Sequence, residues 1–377
     1  MDKMTQIKTF FKDEIVLILS FLLAIVSVLF VPPSVSYLDY IDFRTLALLF
    51  CLMAVMKGLD SLGMFALLAE KLLKRVHTMR GLSLTLCLLC FFSSMIITND
   101  VALITFVPFT IVALRLSGSN KGLLPLVALE TIAANLGSML TPIGNPQNLY
   151  LFSNYEMRMG EFLSAIWPYA LLSLVLTVIC ALFMGGSAVQ MQGECSEVAS
   201  KPDNKRFIMY GILFLLSLLT VFRVIPYVIT LVATLLVIFI FDRKILLKVD
   251  YSLLFTFVFL FIFIGNLGNI GPVSEFLKNI VEGNEVLAGI LSSQVFSNVP
   301  AAILLSGFTQ NASALLVGVN LGGLGTLIAS MASLISFKFL AKEKINTGKY
   351  MLVFTVLNLL FLVLLMPVAL QISASAY

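Results

Sequence analysis

Long apolar segments separated by short polar loops dominate this chain. The runs 15–31, 207–222 and 351–366 approach or reach the length of about 20 residues that an α-helix needs to cross about 30 Å of hydrocarbon. The hydrophobic pattern predicts helices at 15–31, 43–57, 82–97, 101–115, 123–140, 163–184, 207–222, 225–241, 251–265, 287–296, 300–308, 312–325 and 350–372. The expected fold class is an all-α polytopic membrane protein.

Composition supports this interpretation and excludes several function classes. Hydrophobic residues make up 60% of the 377 residues and charged residues 12%, against about 25% in soluble domains. The net charge of +4 is spread over short loops, so we expect a lipid bilayer as partner and no nucleic acid. No small-residue cleavage site follows the first span, so we expect this helix to be retained. The expected location is a bacterial inner or plasma membrane.

The two halves of the chain repeat each other. Segment 56–63 matches 264–271, and the run from Ser94 to Asp100 matches that from Ser293 to Val299. The Asn-Leu-Gly at 135–137 recurs at 320–322, and the same order of matches indicates duplication. The expected units are 1–184, a polar cytoplasmic linker at 185–206, and 207–377.

Charge predicts that the two copies are inverted. The first copy's central hairpin is flanked by basic residues, the second copy's by acidic ones, and cytoplasmic loops carry the excess of Lys and Arg. The basic set is Lys71, Lys74, Arg75, Arg80, Arg115 and Lys121, and the acidic set is Glu275, Glu282 and Glu285, which outnumber Lys278. Further basic residues predicted to be cytoplasmic are Arg243, Lys244, Lys248, Lys338, Lys342, Lys344 and Lys349. The N-terminus is then cytoplasmic and the C-terminus external.

Two polar interruptions predict re-entrant hairpins. The apolar run 82–116 is too long for one span and is broken at 98–100, and the run 286–308 is broken at 297–299. Backbone that is not helical at membrane depth persists only where protein or a water-filled cavity satisfies its polar groups. We therefore expect both tips to meet near the membrane midplane and to form a binding site.

A second kind of interruption predicts broken helices. Segment 141–148 carries Pro142, Gly144 and Pro146 between apolar stretches, and its counterpart at 325–331 lacks prolines. Proline removes a helical hydrogen bond, so the first segment should unwind. Unwound carbonyls can bind a small cation, while helix N-termini favour an anion.

These motifs resemble the ion transporter superfamily, which includes divalent anion/sodium symporters, citrate transporters and arsenite permeases. The resemblance covers roughly residues 40–345 and implies a secondary transporter of a small anionic substrate, such as a di- or tricarboxylate or an inorganic oxyanion. It implies two sodium sites, one formed by Ser94, Thr98, Asn99 and Gly144, the other by Ser293, Ser297, Asn298 and Ala329. It also implies substrate contacts from Asn99, Asp100, Asn145, Pro146, Asn298, Val299 and Ser330.

Two positions depart from the divalent-anion branch and keep alternatives open. Asp100 and Val299 replace threonines, and the Asn-Asp pair is closer to the arsenite-permease pattern. An acid inside the membrane is costly and indicates function, so Asp100 is the candidate for proton coupling. Arsenite or metalloid efflux and sodium/proton antiport are the alternative functions, and a channel is another class. Asp100, Asn99 and Asn298 could also act only as helix caps.

The sequence lacks the motifs of other functional classes. Neither a phosphate-binding loop nor a His-Glu-x-x-His zinc site is present, so we expect no enzyme, no catalytic residue and no cofactor beyond Na⁺ or H⁺ as coupling ion. His77 and Lys57 are interpreted as interfacial side chains. The amphipathic stretches 64–76 and 272–283 could form the interface of a homodimer, as they do in the carriers that the chain resembles.

Overall fold

The computed structural model describes residues 14–63, 76, 78–116, 122–185, 203–343 and 345–375. The first half contains α1 (Ile15–Val28), α2 (Tyr37–Tyr40), α3 (Phe43–Ser61), α4 (Met79–Ile97), α5 (Asn99–Leu116), α6 (Leu123–Ser138), α7 (Pro146–Asn154) and α8 (Met159–Leu182). The second half contains α9 (Asn204–Val221), α10 (Tyr227–Phe241), α11 (Tyr251–Gly268), α12 (Gly271–Val281), α13 (Glu285–Phe296), α14 (Asn298–Ser306), α15 (Ala312–Gly322), α16 (Met331–Lys342) and α17 (Thr347–Ser375). Short 3-10 helices occupy Arg243–Lys248 and Leu327–Ala329.

The helices have the length and surface of a polytopic membrane protein. Within the described ranges, α4, α8, α9, α11 and the α17 segment Thr347–Ile372 are long and apolar enough to cross a membrane. Large apolar side chains point away from the protein on these and neighbouring helices, for example Phe239 at 65% exposure and Leu352 at 66%. Such a surface is stable against lipid rather than water. The prediction of an all-helical membrane protein is confirmed.

Every helix predicted from the hydrophobic pattern has a counterpart, with ends that differ by a few residues. The predicted helices did not include α2, α12, α7 or α16. Helix α12 lies within the stretch 272–283 that was predicted to be amphipathic, whereas α7 and α16 follow the two interruptions. Both are short, and α7 carries Gln147 and Asn148 inside the protein, where polar residues conceal the apolar periodicity. Several features lie outside the described residues: most of the stretch 64–76, the basic residues Lys71, Lys74, Arg75, Lys121 and Lys344, His77, and the linker residues 186–202.

Each half contains a compact three-helix unit. In the first half α4 packs against α5 and α6, and in the second half α13 packs against α14 and α15. A Cβ atom on Gly137 of α6 would overlap the Phe91 carbonyl of α4, and one on Gly322 of α15 would overlap the Ser293 side chain of α13. Both glycines end an Asn-Leu-Gly motif, so this motif allows two helices to approach closely.

The halves then pack against each other reciprocally. Helix α5 of the first unit contacts α16 of the second half, while α14 of the second unit contacts α7 of the first half. Helices α7 and α16 are the ones that follow the two interruptions. The long helix α17 covers α6, α8 and α15. This arrangement brings both interruptions and both hairpin tips to the centre of the protein.

Candidate functional site

The two hairpin tips share an unusual backbone conformation. Thr98 lies between α4 and α5 with φ 73° and ψ 153°, and Ser297 lies between α13 and α14 with φ 75° and ψ 155°. Residues other than glycine rarely adopt this region, at a cost of about 1–3 kcal/mol. Asn99 and Asn298 follow directly and are each 4% exposed. The two tips therefore hold a buried asparagine at the start of a helix in the same way.

A cavity of about 170 Å³ lies where the tips meet the segments after the interruptions. Both tips and both of those segments contribute polar groups to its wall. The lining includes Asn99, Asp100, Pro146, Gln147, Asn298, Val299 and Ser330, together with Glu14, Asp250 and Lys338. Residues from distant parts of the chain thus form one concave polar site, which is the usual form of a small-molecule site.

The cavity brings together all but one of the residues expected to contact substrate. Asp100 and Val299, the two departures from the divalent-anion branch, are among them. Asn145 is the exception. It is 1% exposed and donates from Nδ2 to Ser138 Oγ at 3.0 Å and to Asn320 Oδ1 at 3.2 Å. Its side chain lies behind the wall and holds it in place.

The first interruption is stabilised by its own side chains. Asn145 caps α7 by accepting from the Asn148 backbone N–H at 2.9 Å, and Pro146 occupies the first helical position, where its missing N–H costs little. Asn148 Nδ2 lies within hydrogen-bond distance of the carbonyl oxygens of Ser138, Met139 and Thr141, at 3.4, 3.1 and 3.0 Å. One buried amide therefore compensates the carbonyls that the unwound helix leaves free.

The second interruption uses a different residue for the same purpose. Gln294 on α13 donates from Nε2 to the carbonyls of Gly322 and Leu324, each at 2.9 Å. Its Oε1 accepts from the Thr326 backbone N–H at 3.0 Å. The helix breaks here without proline because a glutamine from the neighbouring hairpin replaces the helical hydrogen bonds. Sequence reasoning did not single out Gln294.

The first tip is bonded directly to the first interruption. The Asn99 backbone N–H donates to the Gly144 carbonyl at 3.1 Å, and Asn99 Nδ2 donates to Asn135 Oδ1 at 3.0 Å. Thr141 Oγ1 donates to the Met95 carbonyl at 2.5 Å. A Cβ atom on Gly144 would overlap the Ser138 carbonyl, so only glycine fits this junction.

Two asparagines cross between the halves. Asn135 Oδ1 accepts from Ser330 Oγ at 3.1 Å, and its Nδ2 donates to Ser333 Oγ at 3.5 Å. Asn320 Nδ2 donates to Asn148 Oδ1 at 2.7 Å, while its Oδ1 accepts from Asn145. Each asparagine thus fixes the segment after the interruption in the other half. The repeated Asn-Leu-Gly motif was the sequence signal for both, although sequence analysis assigned them no role in the site.

The first set of expected sodium ligands is only partly brought together. Asn99 and Gly144 are in contact through the backbone. Ser94 is fully buried and donates to the Phe91 carbonyl at 2.9 Å, which leaves its hydroxyl oxygen able to accept or to bind a cation. Thr98 stands at the tip next to Asn99.

The second set has a similar arrangement. Ser297 Oγ lies 3.4 Å from Asn298 Oδ1, and buried Ser293 donates to the Gly289 carbonyl at 2.7 Å. Ala329 is fully buried in the 3-10 helix Leu327–Ala329, which packs against α13. The oxygen atoms of these residues are the hard ligands that an alkali cation prefers.

Charged groups surround Asp100. The carboxylate is attracted by Lys57 of α3 and repelled by Asp250, which also lines the cavity. Lys57 in turn attracts Asp60, whose Oδ1 accepts from Thr105 of α5 at 3.2 Å. Lys338 contributes a cation to the cavity wall, and sequence analysis had treated it only as a topology signal.

A second buried carboxylate lies on α6. Glu130 is fully buried, and its Oε1 accepts from Thr110 Oγ1 at 2.5 Å. It does not line the cavity. Sequence analysis singled out Asp100 and missed Glu130, although an acid inside the apolar run 123–140 was the available signal.

Comparisons with known proteins agree with these features. The profile of the citrate transporter family matches residues 11–314. An uncharacterized transporter of Methanocaldococcus jannaschii is 34% identical over 87% of this chain and 90% of its own length. The inner membrane protein YbiR of Escherichia coli is 32% identical over 81% of this chain and 82% of its own length.

A more distant relative carries a named substrate. The silicon efflux transporter LSI3 of Oryza sativa is 35% identical over 42% of this chain and 33% of its own length. The family profile and the relatives that align over most of the chain confirm the predicted resemblance to the ion transporter superfamily. The chain is therefore a membrane transporter that belongs to the citrate transporter family.

Proposed function

We propose that the chain is a secondary active transporter that moves a small anion, a di- or tricarboxylate or an inorganic oxyanion, by alternating access, coupled to a gradient of Na⁺ or H⁺. The observation that carries this proposal is the cavity in which both hairpin tips meet both post-interruption segments. Secondary transporters place substrate and coupling ion at such repeat interfaces, next to broken helices. The wall offers amide groups from Asn99, Gln147 and Asn298 to a hydroxylated or anionic solute.

The reciprocal contacts support inverted repeats. Asn135 binds Ser330 and Ser333, whereas Asn320 binds Asn145 and Asn148. Here each half contacts the other through equivalent residues. Such reciprocal contacts are expected when two copies are related by a two-fold axis. Combined with the opposite charge of the two hairpins, this supports an axis in the membrane plane and supports the proposal that 82–116 and 286–308 are re-entrant hairpins.

Charge also supports an orientation for the cavity. Glu14, Asp250 and Lys338 line it, and all three belong to segments that we predict to be cytoplasmic from the loop charges. The N-terminus is then cytoplasmic, the C-terminus external, and the cavity faces the cytoplasm. Movement of the two hairpin units relative to the surrounding helices would expose the same groups on the other side.

The coupling ion is assigned to the buried oxygen atoms beside the tips. Ser94, Thr98, Asn99 and Gly144 form the proposed first sodium site, and Ser293, Ser297, Asn298 and Ala329 form the second. Asp100 lies in the cavity wall with Lys57 nearby, and we assign proton coupling to this carboxyl group. If a proton on Asp100 drives transport, Asp100→Asn should abolish coupling. If sodium at the two oxygen sites drives transport, coupling should persist in this variant.

A second candidate is efflux of a neutral metalloid hydroxide, with sodium/proton antiport as a related function. Among the described residues, three carboxylates line the cavity, those of Glu14, Asp100 and Asp250, against one lysine. Such a wall disfavours a dianion and accepts a neutral hydroxylated solute through hydrogen bonds. A relative named for silicon efflux supports the same class.

Uptake into proteoliposomes tests these proposals. Citrate, succinate, sulfate, arsenite and silicic acid are each offered with a sodium gradient, a proton gradient or neither. Gradient-dependent accumulation of an oxyanion supports the first proposal, and accumulation of silicic acid or arsenite alone supports the second. Equal fluxes down every gradient without accumulation would indicate a channel instead.

Asp100→Asn extends this experiment to the coupling ion. We expect loss of proton-driven accumulation with retention of substrate exchange, because exchange needs no net movement of the coupling ion. Glu156→Gln is the matched control, since Glu156 is exposed in the loop between α7 and α8. Retained proton-driven accumulation in Asp100→Asn would remove this residue from coupling.

We also propose a homodimer. Helix α12 places Phe276 at 62% exposure and Ile280 at 49% on its outer surface. The helix is amphipathic, and an apolar stripe of this kind can cover a second copy as well as lipid. Cross-linking of a cysteine introduced at Phe276 in native membranes would test this interface.

A further inference from the structure

Glu130 is a fully buried carboxyl group that the substrate cavity does not use. It lies on α6, where Oε1 accepts a hydrogen bond from Thr110 Oγ1 of α5 at 2.5 Å. Its second oxygen, Oε2, has no hydrogen-bond partner among the described residues. Natural proteins rarely leave a buried polar oxygen without a partner, so this atom requires an explanation.

Side chains from several helices that pack against α6 surround Glu130. Helix α17 contributes Tyr350, which is buried, lies beside the hydroxyl groups of Thr131 and Ser336, and interacts electrostatically with Glu130. Helix α4 contributes Cys87 and Cys90, and Cys180 of α8 lies beyond Cys87. All these titratable neighbours are neutral or acidic.

The same region joins the two halves. Thr131, next to Glu130, shares a hydrogen bond of 2.7 Å with Ser336 of α16. Tyr350 lies beside both of these hydroxyl groups. The carboxyl group is therefore located at the contact of α6 with α16 and α17, at some distance along α6 from the cross-half bonds of Asn135.

A second buried acid, Glu285, differs from Glu130 in the hydrogen-bond donors around it. Glu285, 3% exposed, accepts from Thr309 Oγ1 at 2.8 Å and from the Gly283 backbone N–H at 3.2 Å. It also lies in the first turn of α13, where the helix dipole favours negative charge. Glu130 has one hydroxyl donor and a mid-helix position. An ionised carboxylate at such a site is unfavourable unless a positive charge accompanies it.

We propose that Glu130 is a proton-binding site of this transporter, separate from the substrate cavity and from Asp100. The bound proton sits on Oε2 as a neutral carboxylic acid, and its release leaves a carboxylate and one proton for the aqueous phase. The remaining charge attracts the hydroxyl groups of Tyr350 and Thr110. Reorientation of Tyr350 toward Glu130 weakens the packing of α6 against α16 and α17, so the protonation state biases the contact between the two halves.

Infrared difference spectroscopy of the full-length protein in lipid nanodiscs tests this site without requiring transport. The carbonyl stretch of a buried protonated carboxyl group is recorded while the pH is varied from about 5 to about 9. We expect a band that decreases as pH rises, is absent in Glu130→Gln and persists in Asp100→Asn. A band that depends on Glu130 but stays constant over the whole range, or no such band, would overturn the proposal.

Thermal unfolding provides a second measurement. Over the pH range in which folded Glu130 keeps its proton and the unfolded chain has released it, the Tm of the wild-type protein should decrease with rising pH. This dependence should be weaker in Glu130→Gln. Glu285→Gln is the matched control and should retain the wild-type pH dependence. Equal pH dependence in wild type and Glu130→Gln would contradict proton binding by Glu130 in the folded protein.

Two further measurements address folding and mechanism. If Glu130→Gln does not fold, mass spectrometry of the wild-type protein after reaction with a hydrophobic carbodiimide identifies whether Glu130 is modified, and modification should decrease as pH rises. Tyr350→Phe should displace the infrared titration relative to wild type, because it removes a donor to the carboxylate. Because no readout uses transport, failure of the uptake experiments and failure of this inference are distinguishable.

Discussion

Asn135 and Asn320 occupy equivalent positions in the two halves and bind equivalent partners in opposite halves. Asn145 and Asn148 follow Asn135 at the same spacings at which Ser330 and Ser333 follow Asn320. Asn320 binds the first pair, and Asn135 lies against the second. The two amides are therefore the polar connection that holds both post-interruption segments against the hairpin tips.

Replacement of Asn320 by alanine should destabilise the protein. The change leaves Asn145 and Asn148 without their partner in a site that is 3% exposed, and an unsatisfied buried amide costs about 1–3 kcal/mol. The expected result is a lower Tm in detergent or nanodiscs, together with loss of transport.

Asn358→Leu is the control for that experiment. Asn358 is also fully buried, but its Nδ2 donates only within its own helix, to the Phe354 carbonyl, and its Oδ1 has no partner among the described residues. We expect no loss of stability from this change. Equal Tm values for wild type and Asn320→Ala would show that the cross-half bonds do not stabilise the fold.

Lys338→Gln should distinguish anionic from neutral substrates. Lys338 is the cation of the cavity wall, and an exposed charge contributes up to about 1 kcal/mol, or about five-fold in affinity. We expect KM to increase about five-fold for an anion, with an effect that shrinks at high salt, and no change for silicic acid. Lys342→Gln, one helical turn further along α16, serves as the control. Identical KM values in both variants would exclude Lys338 from anion capture.

Gly137→Ala should lower stability because its Cβ has no room. The nearest atom is a backbone carbonyl oxygen of Phe91, which cannot move without displacing α4 from α6. Overpacking of this kind typically costs about 1–3 kcal/mol. Gly211→Ala on α9 meets nothing within 4 Å and should be neutral or stabilising by about 0.5–1 kcal/mol. Thermal unfolding of both variants measures the difference, and a tolerated Gly137→Ala would contradict the close approach.

Ser297→Gly should separate stability from transport. Glycine adopts the φ of 75° without strain, so the variant should gain about 1 kcal/mol or more, while it loses a hydroxyl group of the proposed second sodium site. Transport should fall and Tm should rise.

Arg223→Gly is the matched control, because Arg223 has φ 63° in an exposed turn away from the cavity. It should relieve the same kind of strain and leave transport unchanged. Wild-type transport with unchanged sodium dependence in Ser297→Gly would remove Ser297 from the ion site.

The sequence predicted the membrane class, most helix positions and the residues of both hairpin tips. It did so because lipid imposes strong local rules: a span needs a long apolar run, and a polar group inside it needs a partner. Asn99, Asp100 and Asn298 were recognisable for this reason, since each interrupts an apolar run.

Those local rules do not predict which side chains from distant segments meet in the folded protein. Gln294 belongs to one helix and satisfies carbonyls of another, and Asn145 turned out to lie behind the cavity wall because Asn320 binds it. Lys338 lines the cavity because α16 packs against α5, and a count of loop charges does not predict this contact.

Local patterns along this chain thus determined which segments enter the membrane and where polar groups interrupt them. The tertiary structure decided which of those groups share a cavity and which support it from behind. It also decided which polar atoms, such as Glu130 Oε2, have no hydrogen-bond partner among the described residues. The physical reason is that burial and hydrophobic periodicity are properties of a segment, whereas hydrogen-bond partnership between distant segments depends on how the two halves pack.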